Sequence, residues 1–475
     1  MRFHNSLTRS DEPFTPIDPA CVRLYTCGPT VYNFAHIGNF RAYVFEDVLR
    51  RALEFEGFRV KQVMNLTDVD DKTIRGSREK GIPLRDYTKP YKEAFFADLK
   101  TLGIEPAEVY PAATDHVPEM IALIRRLFDK GVAYQSEDKS VYFRVAAFPE
   151  YGKLAHLDRS GMRSGVRIAN DEYEKDAVGD FALWKAWDEK DGDVWWDSPW
   201  GRGRPGWHIE CSAMSMKYLG ESFDLHTGGI DNLFPHHENE IAQAEAATGK
   251  PFVRTWLHCA HLRVNGEKMS KSAGNFFTLR DLLAKGYTGR EIRYVLLGAH
   301  YRQPLNFTFD ALAGARTALA RIDEFVARLR AAGAAEIPES RNPGIPESAP
   351  AWALDALRAF ADAIADDLGT PAALAAVHGL VSAGNRAFDA AAPNAATATA
   401  VLAVLRRCDR VLNLLPAVGA AEEAVPAEVQ SLADERAAAR AAKNWAESDR
   451  LRAAIAALGW EVRDSKAGQT LRKAP

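Results

Sequence analysis

Two short segments carry residue types suited to binding phosphate. In His36-Ile37-Gly38-Asn39, the glycine lets a ligand approach the backbone, and the predicted helix that follows favours an anion at its N-terminus. His36 and Asn39 can donate hydrogen bonds to charge that develops on a transferring phosphoryl group. In Lys268-Met269-Ser270-Lys271-Ser272, two lysines in one short loop can clamp a polyphosphate. Each segment alone has an ordinary alternative: a turn for the first, a solvated surface loop for the second.

A second group of side chains could bind a metal ion. His236 and Glu240 are four residues apart on a predicted helix, so they share one of its faces. Cys27 follows a predicted strand, and Cys211 lies in another predicted helix. One imidazole, one carboxylate and two thiolates form a plausible zinc site. The spacing leaves alternatives open, because His237 could replace His236 and the cysteines could pack as small hydrophobic residues.

A βαβ unit is predicted around the first of these segments. Residues 22–26 form a strand, a helix runs from about Phe40 to Glu56, and residues 59–65 form a second strand. Two strands joined in this way are parallel. Because ligands gather at the carboxyl ends of parallel strands, we expect Cys27 and Thr67-Asp68 to face one pocket.

The α/β pattern stops near His116 and resumes after about residue 200. Six of the ten tryptophans fall between Trp184 and Trp207, among glycines, prolines and charges, which predicts an insertion. A helix near His208, a strand at 223–226, a helix at 235–247 and a strand at 253–258 then complete a doubly wound, Rossmann-type α/β domain. Beyond Phe309 the chain is rich in alanine, with apolar residues at helical spacing, which predicts a helical bundle.

Composition narrows the class of protein. The chain has 475 residues, of which 47% are hydrophobic and 26% charged, values typical of a soluble globular protein. No signal peptide or stretch of about 18 apolar residues occurs, and the five cysteines are scattered, which indicates a cytoplasmic protein without a membrane span. A formal net charge of −4 does not by itself indicate binding to nucleic acid.

Together the motifs resemble those of class I aminoacyl-tRNA synthetases. Their second signature, Lys-Met-Ser-Lys-Ser, is present without change, whereas the first departs from His-Ile-Gly-His because Asn39 stands where histidine is common. The chain as a whole resembles the cysteinyl-tRNA synthetase family. The segments that carry this resemblance are Thr26–Tyr32, Asn65–Lys72, Ser198–Gly201, Arg204–Met214, Phe223–His226, Phe234–Glu240, Lys268–Ser272 and Asn275–Phe277.

This resemblance implies an ATP-dependent cysteine–tRNA ligase. Such an enzyme converts L-cysteine and ATP, with Mg²⁺, into cysteinyl-adenylate and transfers the cysteinyl group to the terminal adenosine of tRNA(Cys). The implied zinc ligands are Cys27, Cys211, His236 and Glu240, with the zinc ion selecting the substrate thiol over the serine hydroxyl. Thr67, Trp207 and His226 would line the cysteine pocket. The implied ATP-binding residues are His36, Gly38, Asn39, Gly228, Gly229, Asp231, Lys268 and Lys271, of which His36, Asn39, Lys268 and Lys271 would be catalytic.

The resemblance also implies an order of domains, in a chain expected to be a monomer. The expected ranges are a first catalytic half at 1–115, the connective insertion at 116–202, a second catalytic half at 203–265, the signature-loop and stem-contact region at 266–310, the helical bundle at 311–425 and an anticodon-binding domain at 426–475. From Arg436 onward, nine basic residues oppose four acidic ones, a net charge of +5. Lys443 and Trp445 would bind tRNA there, by holding phosphate and stacking a base. The alternative is an amphipathic helix that buries Trp445.

Two other functions fit parts of the sequence. One is a ligase that passes cysteine from its adenylate to an amino sugar, although such enzymes lack a tail like residues 427–475. The other is a catalytically silent RNA-binding protein on the same frame, against which the intact loop at 268–272 argues.

Overall fold

The computed structural model describes residues 1–157, 167–168, 179–270, 274–335, 344–416, 426–465 and 468–473. These residues divide into two compact units, Met1–Leu415 and Pro416–Pro475. The strands are β1 (Arg2–Asn5), β2 (Ser10–Pro13), β3 (Val22–Thr26), β4 (Val60–Met64), β5 (Ala133–Gln135), β6 (Val141–Phe143), β7 (Arg167–Ile168), β8 (Asp180–Ala186), β9 (Gly203–Pro205), β10 (Phe223–Gly229), β11 (Val253–Cys259), β12 (Leu262–Val264), β13 (Glu267–Lys268), β14 (Leu305–Phe307), β15 (Trp460–Ser465) and β16 (Gly468–Lys473).

The described helices cover much of the remaining chain. They are α1 (Ile37–Phe55), α2 (Asp71–Lys80), α3 (Leu84–Thr101), α4 (Val117–Asp129), α5 (Trp207–Leu219), α6 (Glu238–Thr248), α7 (Leu279–Ala284), α8 (Gly289–Leu297), α9 (Phe309–Ala331), α10 (Ala351–Ala365), α11 (Thr370–Ala390), α12 (Ala395–Leu412), α13 (Ala427–Ala441) and α14 (Trp445–Ala457). None of them combines the length and apolarity that crossing a bilayer requires.

A four-stranded parallel sheet lies at the centre of the first unit, in the spatial order β4-β3-β10-β11. The strand order reverses between β3 and β10, and ligands bind outside the carboxyl ends of strands at such a switch point. β3 ends at Thr26 and β10 at Gly229, so the segments that follow them meet at the same edge of the sheet. The doubly wound parallel-sheet fold predicted from the sequence is confirmed.

Helix α1 begins three residues before the predicted start at Phe40. His36 Nδ1 accepts a hydrogen bond from the Asn39 backbone N–H at 3.3 Å, and Asn39 Oδ1 accepts one from the His36 N–H at 3.0 Å. This reciprocal cap satisfies two backbone donors that a helix start would otherwise leave open. Hydrophobic periodicity does not detect such a cap, which explains the late predicted start.

The segment between the two halves of the central sheet builds a sheet of its own. Its strands lie in the order β5-β6-β8-β7, and β9 pairs with β8. Trp184 is fully buried in its core, and the rings of Trp200 and Phe128 stack with centroids 5.4 Å apart. The tryptophans that mark this segment in the sequence therefore include packing residues of a separate core.

Helices α9 to α12 follow the α/β part and share its hydrophobic core. A buried ionic cluster reinforces the contact: Asp47 of α1 pairs with Arg51 at 2.8 Å and with Arg293 of α8 at 2.5 Å. Arg293 also donates to the carbonyls of Leu102 and Leu412, at 3.1 and 2.7 Å. One guanidinium thus connects four helices or their ends.

The hairpin of β1 and β2 joins distant parts of the same unit. The Ser6 N–H donates to the Trp256 carbonyl in β11 at 2.9 Å. Arg2 pairs with Asp366 just beyond α10, and the His4 N–H donates to Asp367 Oδ1 at 2.9 Å. Residues 2–6 are therefore bonded to the central sheet and to the helical bundle at once.

The second unit contains two helices and an antiparallel hairpin. Helices α13 and α14 pack with β15 around a small core that includes Val429, Ile455 and Trp460. Arg436, which is 1% exposed, forms a bidentate pair with Asp464, with both N–O distances 2.9 Å. This pair connects α13 to the hairpin.

Candidate active site

The loop after β3 lies against the neighbouring strands at the switch point. The Cys27 backbone N–H donates to the Thr227 carbonyl at 3.1 Å, and the Gly28 N–H donates to Asn65 Oδ1 at 2.9 Å. A side chain at position 28 would overlap the Asn65 carbonyl, so only glycine permits this approach. The Cys27 thiol therefore has a defined position beside the end of β10.

Three further side chains come to this thiol from two helical segments. Cys211 lies on α5, His236 lies in the segment Leu233–His237, whose backbone is kinked at the extended residue Phe234 (φ −141°, ψ 132°), and Glu240 lies in the first turn of α6. The helix predicted at 235–247 therefore follows directly after a kink, and α6 covers its residues from Glu238 onward. Ligand atoms of Cys27, Cys211, His236 and Glu240 all lie within 4.8 Å of one another, and all four residues are buried.

Neighbouring histidines orient this cluster. His208 Nδ1 lies 3.0 Å from His236 Nδ1, which leaves His236 Nε2 facing Cys211 Sγ at 3.4 Å and Glu240 Oε1 at 3.1 Å. His226 Nε2 lies 3.0 Å from Glu240 Oε2. Glu240 Oε1 is buried and makes no hydrogen bond to a described group, although it lies within ion-pair distance of His236. A buried carboxylate oxygen without a hydrogen-bond donor fits a cation as its partner.

Cys211 and His236 shift each other's pKa. Burial raises the pKa of the Cys211 thiol, but a hydrogen bond from Cys27 and the nearby His236 outweigh burial and bring this pKa to about 6. Burial lowers the pKa of His236, and the Cys211 thiolate with Glu240 outweighs it and raises the pKa to about 10. Cys211 is thus a thiolate at neutral pH, the form that binds metals, whereas a metal bound here would take the place of the proton on His236.

A second group of buried ligand atoms overlaps the first. Cys27, His226, His237 and Glu240 also have ligand atoms within 4.8 Å of one another. His237 Nε2 lies 3.2 Å from Cys27 Sγ, and its Nδ1 lies 2.8 Å from His258 Nε2. The structure thus brings together the set with His236, whereas His237 shares its group with His226 and not with Cys211; the two groups form one buried Cys/His/Glu cluster that could hold a metal.

The residues expected around the amino acid lie beside this cluster. Trp207 is the first residue of α5, and its ring centroid is 4.4 Å from that of His236. Thr67 is buried after β4, and its hydroxyl donates to Glu210 Oε2 at 3.0 Å. His226 is buried in β10 and stacks on Trp256 at 4.6 Å. Trp207, Thr67 and His226 come from three different elements.

The phosphate-type residues lie at the N-terminus of α1. A Cβ at Gly38 would lie 2.9 Å from the His36 ring and 3.1 Å from Met269 Cε, so Met269 of the second signature packs close to the first. The Ile37 N–H donates to the Phe277 carbonyl at 3.0 Å. Burial lowers the pKa of His36, and the charge of Asp231 acts in the opposite direction. Gly228 and Gly229, at the end of β10, precede the turn that carries Asp231.

Of the two lysines of the second signature, Lys268 lies within the described part of the chain. Lys268 is exposed at the end of β13, and its carbonyl accepts a hydrogen bond from Asn275 Nδ2 at 3.2 Å. Asn275 Oδ1 accepts another from the Ser270 N–H at 2.8 Å. Lys271 lies outside the described residues. The side chain of Asn275 therefore fixes the backbone on the N-terminal side of the loop.

Several residues of the site were not singled out from the sequence. His208 and His258 contact His236 and His237, and Glu210 accepts the Thr67 hydrogen bond. The position of His258 at the end of β11, in register with Gly228, was a usable signal, because neighbouring parallel strands end together. His208 and Glu210 had no comparable signal, since helical spacing does not show which face meets a distant turn.

The two residues expected to bind tRNA lie in the second unit. Trp445 begins α14 and is 57% exposed, so the alternative in which a helix buries it is wrong. The Arg440 guanidinium lies 5.6 Å from the centre of the Trp445 ring. Lys443 is exposed two residues earlier. An exposed ring beside a cation is typical of surfaces that stack unpaired bases.

The sequence matches three protein families in succession. Residues 13–317 match the tRNA synthetases class I (C) catalytic domain, residues 359–416 the DALR domain and residues 422–472 the cysteinyl-tRNA ligase anticodon binding domain.

Relatives and solved structures agree with these matches. The cysteine–tRNA ligase of Protochlamydia amoebophila is 49% identical over 476 residues, covering 100% of this chain and 98% of that protein. That of Brachyspira hyodysenteriae is 50% identical and covers 98% of each. Mycobacterium tuberculosis methionyl-tRNA synthetase in complex with methionyl-adenylate superposes with a TM-score of 0.59 at 15% identity, over 82% of this chain and 90% of that one. At that identity, the superposition shows a shared fold alone.

Proposed function

This chain belongs to the cysteine–tRNA ligase family of class I tRNA synthetases, and from that premise we propose that it attaches L-cysteine to tRNA(Cys) in two steps. In the first step, the cysteine carboxylate attacks the α-phosphate of ATP, which gives cysteinyl-adenylate and pyrophosphate. In the second, a ribose hydroxyl of the terminal adenosine attacks the cysteinyl carbonyl and AMP leaves. The observation that carries this proposal is identity near 50% to cysteine–tRNA ligases along the whole chain.

The match at 422–472 bears on the choice between activities. An anticodon binding domain serves an enzyme that acts on tRNA, and a ligase for a small amino sugar has no use for one. The proposal therefore includes tRNA as the acceptor, with Lys443 and Trp445 on its binding surface. The proposal further includes action as a monomer in the cytoplasm. It also keeps the domain roles expected from the sequence, which are the catalytic halves at 1–115 and 203–265, the connective insertion at 116–202, the signature-loop and stem-contact region at 266–310, the helical bundle at 311–425 and the anticodon-binding domain at 426–475.

We propose that Cys27, Cys211, His236 and Glu240 hold a zinc ion. Support comes from the Cys211 thiolate and from Glu240 Oε1, which no described group hydrogen-bonds. His226 and His237 would then lie next to the ligands without binding the zinc ion, because His226 contacts Glu240 Oε2 and His237 contacts His258. Zinc, when bound, offers a position that a thiolate fills far better than an alcohol, and this would separate cysteine from serine.

The remaining residues position the substrates. Trp207, Thr67 and His226 would form the walls of the cysteine pocket, and the hydrogen bond from Thr67 to Glu210 fixes that hydroxyl. His36 and Asn39, each of whose side chains accepts a hydrogen bond from the other's backbone N–H, would present their remaining donors to the phosphates of ATP. Lys268 and Lys271 would neutralise the departing pyrophosphate, with Mg²⁺ bound to ATP. Gly38, Gly228, Gly229 and Asp231 would contact the nucleotide.

The experiment that tests this proposal measures cysteine-dependent exchange of pyrophosphate into ATP, then transfer of labelled cysteine to tRNA(Cys). Both are expected for the intact protein. Removing the metal with a chelator, or changing Cys211→Ser, should lower the exchange rate by about 100-fold or more. Cysteine-over-serine selectivity should fall to the roughly 10–200-fold that contacts with one small group can supply.

The matched control is Cys408→Ser, because Cys408 is also buried but lies on α12, outside both groups of ligand atoms. It should retain its zinc and its selectivity. Full selectivity in the zinc-free enzyme would refute the zinc role. Absence of exchange in the intact protein would refute the proposed function itself.

A further inference from the structure

We infer that a surface beside the active site binds the unpaired 3′ end of the tRNA by stacking its bases on aromatic rings. This surface, here the aromatic–cation patch, consists of Tyr32, Phe34, Lys72, Lys80, Tyr91 and Arg280. The inference rests on the proposed function, because it assigns a place to a part of the tRNA substrate. It concerns the first unit and is independent of Trp445 in the second.

The position of the patch ties it to the reacting centre. Tyr32 and Phe34 lie on the loop that runs from Cys27 to His36, between the expected metal and phosphate residues. Thr30 on this loop forms a bridge with Thr67, at the end of the neighbouring strand. A nucleotide chain lying on these rings would therefore lead towards the carboxyl edge of the sheet, where the acceptor ribose must react.

Two of the three rings are exposed, the Tyr91 ring is half-buried, and each has a cation close by. Tyr32 is 38% exposed and Phe34 is 39% exposed. Lys72 Nζ lies 5.5 Å from the centre of the Tyr32 ring, and the Arg280 guanidinium lies 4.8 Å from that of Phe34. Lys80 Nζ lies 5.7 Å from the Tyr91 ring. Alternating rings and cations suit a single-stranded nucleic acid, since the rings stack bases and the cations hold the phosphates.

The patch is supported from behind, so its rings are already in place. Tyr87 Oη donates to the Tyr32 carbonyl at 2.9 Å, and the Tyr87 ring packs edge-on to Tyr91 at 5.4 Å. Tyr91 packs edge-on to Phe34, also at 5.4 Å. Arg280 pairs with Asp98 at 2.9 Å, which holds the guanidinium near Phe34. Pre-positioned rings lose little conformational entropy when a base stacks on them.

The charge of the supporting helices favours a polyanion as the ligand of the aromatic–cation patch. Residues 71–101, which span α2 and α3, contain eight lysines and arginines against five acidic residues, a net charge of +3 in a chain of net charge −4. A protein partner for exposed rings of this size would require an apolar surface with few charges at its centre. The cations between the rings favour RNA instead.

The test uses the full-length enzyme and tRNA(Cys) that carries 2-aminopurine at one of its unpaired 3′ positions. Stacking on an aromatic ring quenches the fluorescence of this base, so the intact enzyme should quench it. Phe34→Ala should reduce the quenching and lower kcat/KM for transfer to tRNA by between about 5-fold and about 100-fold, and by much more than it lowers pyrophosphate exchange. Phe34→Trp should restore both quenching and transfer.

Phe96→Ala is the matched control. Phe96 is also 39% exposed, but it packs on Tyr110 at 4.9 Å, away from the patch rings. It should quench and transfer like the intact enzyme. Transfer by Phe34→Ala at the normal rate, or equal losses in exchange and transfer, would overturn the inference. An intact enzyme without cysteine-dependent exchange would instead overturn the proposed function, so the two failures are distinguishable.

Discussion

At the scale of single residues, the base of the active site is built from buried histidines. Burial and the neighbouring His226 lower the pKa of His258 to about 3, against an ordinary value of 6.5. His258 is 4% exposed and lies between Ser6 Oγ, at 2.7 Å, and His237. Its neutral ring is therefore part of the folded state, and its protonation is coupled to unfolding.

We expect this coupling to appear as lost stability in acid. Below pH 6.5 the unfolded chain binds a proton on His258 that the folded chain does not. The contribution of the neutral His258 ring to the free energy of unfolding is therefore complete above pH 6.5 and is lost as the pH falls. Between pH 7.5 and pH 5 the loss is about 2 kcal/mol from this one group. His258→Gln should reduce the pH dependence of the unfolding free energy by that amount, measured by urea denaturation at both pH values.

His261→Gln provides the comparison for this measurement. His261 is exposed three residues further along the chain, so its ring is hydrated in both states. It should keep the full pH dependence. If His258→Gln also kept it, the acid sensitivity would have to arise from other groups.

Residue types and spacing indicated a metal-binding cluster, and the resemblance to the synthetase family selected its four residues. Cys27, Cys211, His236 and Glu240 meet in the structure, and the segments at 36–39 and 268–270 approach each other through Met269 and Gly38. The contact between His208 and His236 could not be predicted, since it depends on how α5 packs against the kinked segment at 233–237.

At the scale of elements, Arg293 is a buried polar connection among several helices. It is 1% exposed, and its donors reach Asp47, the Leu102 carbonyl and the Leu412 carbonyl. Removing one partner from a buried ion pair leaves the other charge without compensation. The packing of α1, α3, α8 and α12 against one another therefore depends on the Arg293 side chain.

Arg293→Met should lower the free energy of unfolding by about 3–5 kcal/mol, because the Asp47 carboxylate loses one of its two guanidinium partners in a buried environment. Denaturant titration followed by circular dichroism measures the loss. Arg358→Met removes an arginine from an exposed pair with Asp355 and should cost no more than about 1 kcal/mol. Equal effects of the two substitutions would show that the buried cluster contributes little.

Element types were more predictable than element boundaries. The βαβ unit followed from apolar periodicity, but the start of α1 depended on a hydrogen-bonded cap between His36 and Asn39. The kink at Phe234, before the helix that carries Glu240, had no sequence pattern of its own. Local hydrogen bonds determine where a helix begins or ends, whereas the spacing of apolar residues indicates only which face is buried.

At the scale of the whole molecule, the cluster proposed for cysteine activation and one of the two surfaces proposed to bind tRNA lie in different units. The cluster of buried ligands lies in Met1–Leu415, whereas the exposed Trp445 lies in Pro416–Pro475. The net charge of −4 conceals two basic segments, since the last forty residues carry a net charge of +5 and residues 71–101 carry +3.

Trp445→Ala should therefore impair tRNA charging far more than adenylate formation. Loss of one stacked base predicts a decrease in kcat/KM for tRNA of between about 5-fold and about 100-fold. Leu458→Ala, in the same unit and 42% exposed, should have no such effect. Charging and pyrophosphate exchange are measured side by side, and equal decreases in both would indicate misfolding rather than lost recognition.

The hairpin of β1 and β2 has a consequence for biosynthesis. Residues 2–6 bond both to Trp256 and to Asp366 and Asp367. During translation, residues 2–6 leave the ribosome long before Asp366 and Asp367, their last native neighbours, are made. Nascent chains paused before that point expose an unsatisfied strand edge, so chaperone capture should be greatest there.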